Sequence, residues 1–155
     1  MEATLHVSRS PGLARAGIPQ ATSFQRWVEA GLRIARRRKP AELSLRLADI
    51  DEAQDMNLQY RGRDYATNVL SFPAELPPGI KLPLLGDLVI CPAVVAREAS
   101  EQAKPLRDHY AHLTIHGVLH LLGFDHESDA DAEHMEALER QALATLGIAD
   151  PYREQ

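Results

Sequence analysis

The eleven residues His116-Gly117-Val118-Leu119-His120-Leu121-Leu122-Gly123-Phe124-Asp125-His126 constrain this chain more than any other stretch. At 100° per residue, His116 and His120 lie about 40° apart on one helical face, one turn apart, so both imidazoles reach a common point. Gly123 takes positive φ without steric cost. It therefore predicts a helix stop that folds the chain back and brings His126 to the same point from a loop. Three neutral ring nitrogens at about 2.0 to 2.1 Å bind Zn²⁺ and leave a fourth position open, as in a catalytic zinc site. A single cysteine, Cys91, excludes a disulfide framework and any Cys-x-x-Cys site, so a metal here must be held by histidines.

Taken singly, each of these histidines is more simply a core residue satisfied by hydrogen bonds, and only the spacing argues for a ligand set. His112 stands one turn before His116 and competes with His126 for the third position. The three directions 112, 116 and 120 spread over about 80° and roughly 12 Å of helix, too long for one ion. His112 is accordingly placed outside the ligand set, and His109 and His134 are read as surface or supporting residues. The spacing His-x-x-x-His-x-x-Gly-x-x-His resembles that of the metzincin proteases, with one departure. Their general-base Glu follows the first His, and here that position is Gly117, which cannot abstract a proton.

The elements around this stretch follow from periodicity and punctuation. Ala3 to Val7 reads as a short strand and Thr22 to Arg38 as a helix, with Phe24, Trp27, Val28, Leu32 and Ile34 on its apolar side, a cationic last turn and Pro40 as its stop. Glu42 to Leu47 alternates with period two, a half-buried strand. Asp49 or Asp51 caps a short helix through Leu58 that ends before Arg61-Gly62. Val69 to Phe72 and Leu88 to Cys91 are strands. Between them, Pro73, Pro77, Pro78, Gly79, Pro83 and Gly86 mark a loop long enough to cover a site.

Pro92 opens a helix with Val94, Val95 and Ala99 inward, and Pro105 breaks it. A helix over 106–122 carries the histidines. Ser128 caps a last helix with Met135, Leu138, Ala142 and Leu146 inward, closed by Gly147. Strands mixed with helices early and helices gathered late predict an α+β fold: one small mixed β-sheet flanked by helices, with the metal-binding helix in the C-terminal half. No repeat or linker interrupts residues 1–155, which read as one domain.

Net charge is −5, unfavourable for nucleic acid as an average, but the halves differ. Residues 1–65 hold 11 Lys and Arg against 8 Asp and Glu, and residues 66–155 hold 6 against 14. The basic excess culminates in Arg33, Arg36, Arg37, Arg38 and Lys39, which is either a phosphate-binding face or a solvated helix end favoured by the dipole. No apolar run nears the roughly 20 residues of a membrane helix, and the start lacks the basic and apolar regions of a secretory signal. The expectation is a cytoplasmic chain with no membrane partner.

With glycine after the first histidine, the histidine stretch resembles the signature of the YbeY family of metal-dependent single-strand endoribonucleases. Asn57-Leu58-Gln59-Tyr60-Arg61, then Thr67-Asn68-Val69-Leu70-Ser71-Phe72-Pro73, and later Leu85-Gly86-Asp87-Leu88-Val89-Ile90-Cys91, are similar to the family's blocks in order and spacing. The resemblance spans roughly residues 42 to 140. It implies one Zn²⁺ on His116, His120 and His126, with Arg61 and His116 catalytic. It further implies single-stranded and ribosomal RNA as substrate, 16S rRNA 3′ end maturation and ribosome quality control as the setting, and the small ribosomal subunit and its assembly factors as partners.

A guanidinium at 61 suits that role, because it offers an always-charged, bidentate contact to a phosphodiester. Without the family, Arg61 reads as a surface turn residue. Thr67, Asn68 and Ser71 can donate to substrate, though Asx turns and strand pairing explain them equally. No general base is evident; Asp125 is the nearest carboxylate in sequence, and orienting a histidine is at least as good a reading of it. Two rival readings stand beside the nuclease: a non-catalytic small-subunit assembly factor with a structural zinc, and a metalloprotease-like hydrolase.

Overall fold

The period-two pattern of residues 41–47 becomes β2 (Ala41–Leu47), with Ala41, Leu43, Leu45 and Leu47 buried and Glu42, Ser44 and Arg46 facing the other way. The computed structural model describes residues 3–153; Met1, Glu2, Glu154 and Gln155, the ends of the expected 1–155 domain, lie outside them. β1 (Ala3–Arg9) pairs with β2 in parallel, β4 (Leu84–Ile90) pairs with it in parallel on the other side, and β3 (Val69–Pro73) runs antiparallel along β4. The sheet order is β1-β2-β4-β3, a mixed four-stranded sheet. With five helices around it, the fold is the α+β arrangement expected.

α1 (Ala21–Ile34) crosses between the two parallel strands and buries Phe24, Trp27, Val28 and Leu32. The expected helix to Arg38 is too long. Arg36 has φ 60°, the amide of Arg37 bonds back to Leu32 O at 2.9 Å, and the chain turns there to enter β2. Only Arg33 of the cationic run remains in the last turn. The rest lies beyond the helix, where Arg37 donates to the carbonyls of Lys39 and Pro40 at 3.3 and 3.1 Å. α2 (Ile50–Arg61) is capped by Asp49, whose carboxylate accepts from Glu52 N at 2.9 Å. It runs three residues past the expected Leu58, to Arg61, and stops at Gly62 in the left-handed region.

β4 starts four residues before the expected Leu88, because pairing on both sides extends it and Gly86 permits the close approach of Phe72. A Cβ at 86 would stand 2.1 Å from Phe72 O. The loop between β3 and β4 shortens accordingly.

α3 (Pro92–Glu101), α4 (Leu106–Leu121) and α5 (Asp129–Thr145) follow. α4 is the central element, packed against α1, α3, α5 and the sheet. The Phe24 ring meets Trp27 and Tyr110 edge-on at 5.4 and 5.9 Å, tying α1 to α4. Cys91 is buried in a smaller apolar cluster with Ala53, Leu70, Val89 and Val94, and burial pushes its thiol pKa up. Among the described residues no helix is long and apolar enough to cross a membrane.

Candidate metal centre and its cleft

From His109 to Leu121, the residues of α4 that are not buried are His112, His116 and His120, one on each successive turn. Burial of every other face aims this row at the gap between the sheet and α5. Beyond the helix, Gly123 (φ 97°) donates to His120 O at 3.0 Å and Phe124 N to Leu119 O at 3.0 Å, the paired bonds of a left-handed helix stop. The reversal returns His126 toward the helix. Its ring centroid lies 5.8 Å from that of His116 and 5.1 Å from that of His120.

One nitrogen from each of His116, His120 and His126 lies within 4.8 Å of the others, and the Nε2 atoms of His116 and His120 are 3.1 Å apart. Ligands at zinc's bond length in a tetrahedron stand about 3.3 Å apart, so the group could hold a metal ion with small adjustments. Burial, and then the neighbouring His116 and His126, lower the pKa of His120 to about 4, which keeps that ring neutral and its lone pair available.

Behind the triad lies a carboxylate that sequence reasoning missed. Glu139 of α5 is fully buried and accepts from His116 Nδ1 at 3.2 Å, His112 Nε2 at 2.5 Å and the Tyr152 hydroxyl at 2.7 Å. Burial opposes its charge, but the bonds from His112 and His116 prevail and hold its pKa down to about 2. With Nδ1–H committed to Glu139, His116 presents Nε2 as a lone pair, the orientation a metal ligand requires. His112, Glu139 and His116 also lie within ligating distance of each other, and there His112 Nε2 and His116 Nδ1 each donate to the Glu139 carboxylate. His112 is not a member of the three-histidine group.

The signal for Glu139 was present in the sequence: it falls on the same helical stripe as the buried Met135, Ala142 and Leu143. Among the described residues Asp125 has no hydrogen bond to a histidine; its carboxylate accepts from Glu127 N at 3.3 Å. His109 is supporting: its Nε2 donates to Glu98 Oε1 at 2.9 Å, and burial lowers its pKa against the opposing pull of that carboxylate. His134 is exposed, edge-on to Phe124 at 5.5 Å.

The histidines open on a cleft of about 590 Å³ that is also lined by Arg61, Arg63 and Tyr65. Arg61 sits in the last turn of α2 and not in a bare turn. It donates to Ser71 O at 2.8 Å, with its guanidinium 5.7 Å from the Phe72 ring centre. Thr67, Asn68 and Ser71 line the same cleft. Asn68 donates to Glu98 Oε1 at 3.0 Å and Ser71 Oγ to Gly117 O at 3.3 Å, so those two side chains are spent on structure. The long loop does not cover this site: Pro73 alone of the residues expected in it lines the cleft. Nor does the cationic run reach it.

A family model described as Endoribonuclease YbeY matches residues 17–147. The chain belongs to the YbeY family. It is 62% identical over 152 residues to a Stenotrophomonas maltophilia protein named Endoribonuclease YbeY, covering 96% of this chain and 93% of that relative. A Xanthomonas axonopodis pv. citri protein of the same name is 61% identical over 152 residues, with the same coverage. The solution structure of a Thermotoga maritima protein superposes with a TM-score of 0.58 at 22% identity, over 97% of this chain and 100% of that one, and so shares the fold. The YbeY match begins at residue 17, past β1, and therefore includes the later part of the N-terminal region as well as the three motif blocks.

The position at which a metzincin carries its general base also has a structural reason in this YbeY chain. Gly117 lies against the sheet, and a Cβ there would stand 2.8 Å from Leu88 Cδ2. A glutamate at 117 would point into the core.

Proposed function

We propose that this chain is a zinc-dependent endoribonuclease that cleaves single-stranded RNA in bacterial ribosomal RNA processing, including 16S rRNA 3′ end maturation and ribosome quality control. The observation that carries the reading is the convergence of His116, His120 and His126 on a cleft that Arg61 also lines. Membership of a family of endoribonucleases supports it. One Zn²⁺ on the three histidines would supply Lewis acidity and lower the pKa of a water. Arg61, fixed by Ser71 and Phe72, keeps further N–H donors for a phosphate oxygen and offsets the charge that develops during cleavage. Glu139 fixes the tautomer and angle of His116. The cytoplasm, the small ribosomal subunit and its assembly factors belong to the same proposal, as does the organisation of residues 1–155 as one domain.

The rival readings have specific observations against them. A protease of the metzincin type needs a base where Gly117 faces Leu88. A structural zinc would organise the fold, yet the apolar core is built from α1, α4 and the sheet, while His126 is exposed at the surface.

Zinc removal and restoration test the proposal. Metal-free protein should melt near the loaded protein and fail to cut a single-stranded RNA, and zinc should restore cutting. His116→Ala, His120→Ala and His126→Ala should each lose zinc by elemental analysis. Unfolding on chelation would favour the assembly factor, and cleavage of a peptide library would favour the hydrolase.

A further inference from the structure

Tyr65 stands on the cleft wall with 51% of its surface exposed. A lone exposed tyrosine is ordinary, so its meaning rests on how it is held. The backbone beneath it is pinned. Asn57, itself 2% exposed, donates Nδ2 to Tyr65 O at 2.8 Å, and Gln54 donates to Asp64 at 2.9 Å. On the other side Ala66 packs into the smaller apolar cluster. α2 thus fixes the segment before the ring and the cluster fixes the segment after it. The phenolic oxygen accepts from Arg63 at 3.2 Å, which steers the ring itself. The result is a pre-set aromatic surface left in water.

The charge around it points to a partner. The chain is net negative, yet this wall carries Arg61 and Arg63, and Asp125 is the one carboxylate among the cleft's lining residues. An aromatic face beside guanidinium groups matches a nucleotide: the ring takes the base and the cation takes the phosphate. A duplex keeps its bases stacked on each other and cannot use such a ring. A single strand can.

We propose that Tyr65 is a stacking platform for one unpaired nucleobase of the RNA, with Arg63 contacting the phosphate of that nucleotide. The proposal rests on the reading of the cleft as an RNA site and adds a base-binding position to it. It gives the cleft a physical means of preferring single strands.

Binding to the metal-free protein tests this without relying on turnover. The probes are a fluorescein-labelled 12-mer of adenosines, an abasic ribose-phosphate strand of the same length, and a 12-base-pair duplex, all at one salt concentration. Tyr65→Ala should weaken Kd for the adenosine strand about five- to a hundred-fold, the range of base–aromatic stacking, and change Kd for the abasic strand and the duplex less than about two-fold. Tyr65→Phe keeps the ring and should bind adenosines within about two-fold of the original. Equal binding of adenosines by Tyr65→Ala overturns the platform, as does an equal loss on the abasic strand or a Phe variant as weak as Ala. If the unaltered protein fails to bind any of the probes, the RNA reading of the cleft falls, and the platform with it.

Discussion

The Glu139 carboxylate accepts a hydrogen bond from His116 Nδ1 at 3.2 Å, joining the last helix to the histidine-bearing side of α4. A neutral amide in its place keeps the shape but offers one acceptor oxygen in place of two. Glu139→Gln should therefore weaken zinc binding about 10- to 100-fold, the usual cost of losing such a supporting carboxylate. Competition with a chromogenic chelator reads the change directly. Unaltered zinc affinity would reduce Glu139 to a fold residue.

Lowered pKa values shape the acid response of the metal-free protein, those of His120 and His109 in an upper window and those of Glu139 and Glu52 in a lower one. His120 is held at about 4 by burial and by its histidine neighbours, below its ordinary 6.5. Between these values the unfolded chain binds a proton there that the folded chain does not, so stability falls as pH drops from 6.5 toward 4. Burial works against the charge of Glu139, but its histidine bonds hold the pKa at about 2, below the ordinary 4.5, and the stability this gives is lost as pH falls from 4.5 toward 2. Tm measured across pH should show both windows without metal. His120→Asn should shrink the upper one to the part that His109 contributes and leave the lower.

Arg61 is anchored at one nitrogen by Ser71 O and rests near Phe72, contacts worth on the order of 1 kcal/mol at an exposed site. Its removal should spare the fold and damage the reaction. Arg61→Ala should keep zinc and a near-original Tm while cutting single-stranded RNA about 10- to 1000-fold more slowly. Arg61→Lys keeps the charge but loses the planar fork, so it should fall between. Full activity at equal zinc content would return Arg61 to a helix-end residue.

Gly117 lies where α4 packs against Leu88 and Ser71 of the sheet. Gly117→Ala places a methyl 2.8 Å from Leu88 Cδ2, a contact that only displacement of Leu88 or the helix can relieve. Overpacking of this kind costs about 1 to 3 kcal/mol, and alanine's better helix propensity returns about 1 kcal/mol of it, so Tm should fall by a few degrees at most. The paired change Gly117→Ala with Leu88→Val should recover part of the loss if the clash is the cause. Chemical denaturation of the single and double variants decides it.

Local information settled much of this protein. The alternation of residues 41–47, the Asp49 and Ser128 caps, and the His116, His120, Gly123, His126 spacing are each decided by neighbours within a few residues. Their consequences survive in the structure because helix period and glycine stereochemistry act at short range. Tertiary structure decided what depends on a distant partner. α1 ends at Ile34 because β2 must begin on the sheet, and β4 starts at Leu84 because strands on both sides supply hydrogen bonds that no local pattern records. Glu139 lies 23 residues from His116, and Arg61 reaches the histidine cleft only because α2 ends over β3. A sequence names the groups that can act together within a turn or two of helix; bringing a buried carboxylate and a guanidinium to the same three histidines takes the packing of α2, α4, α5 and the sheet.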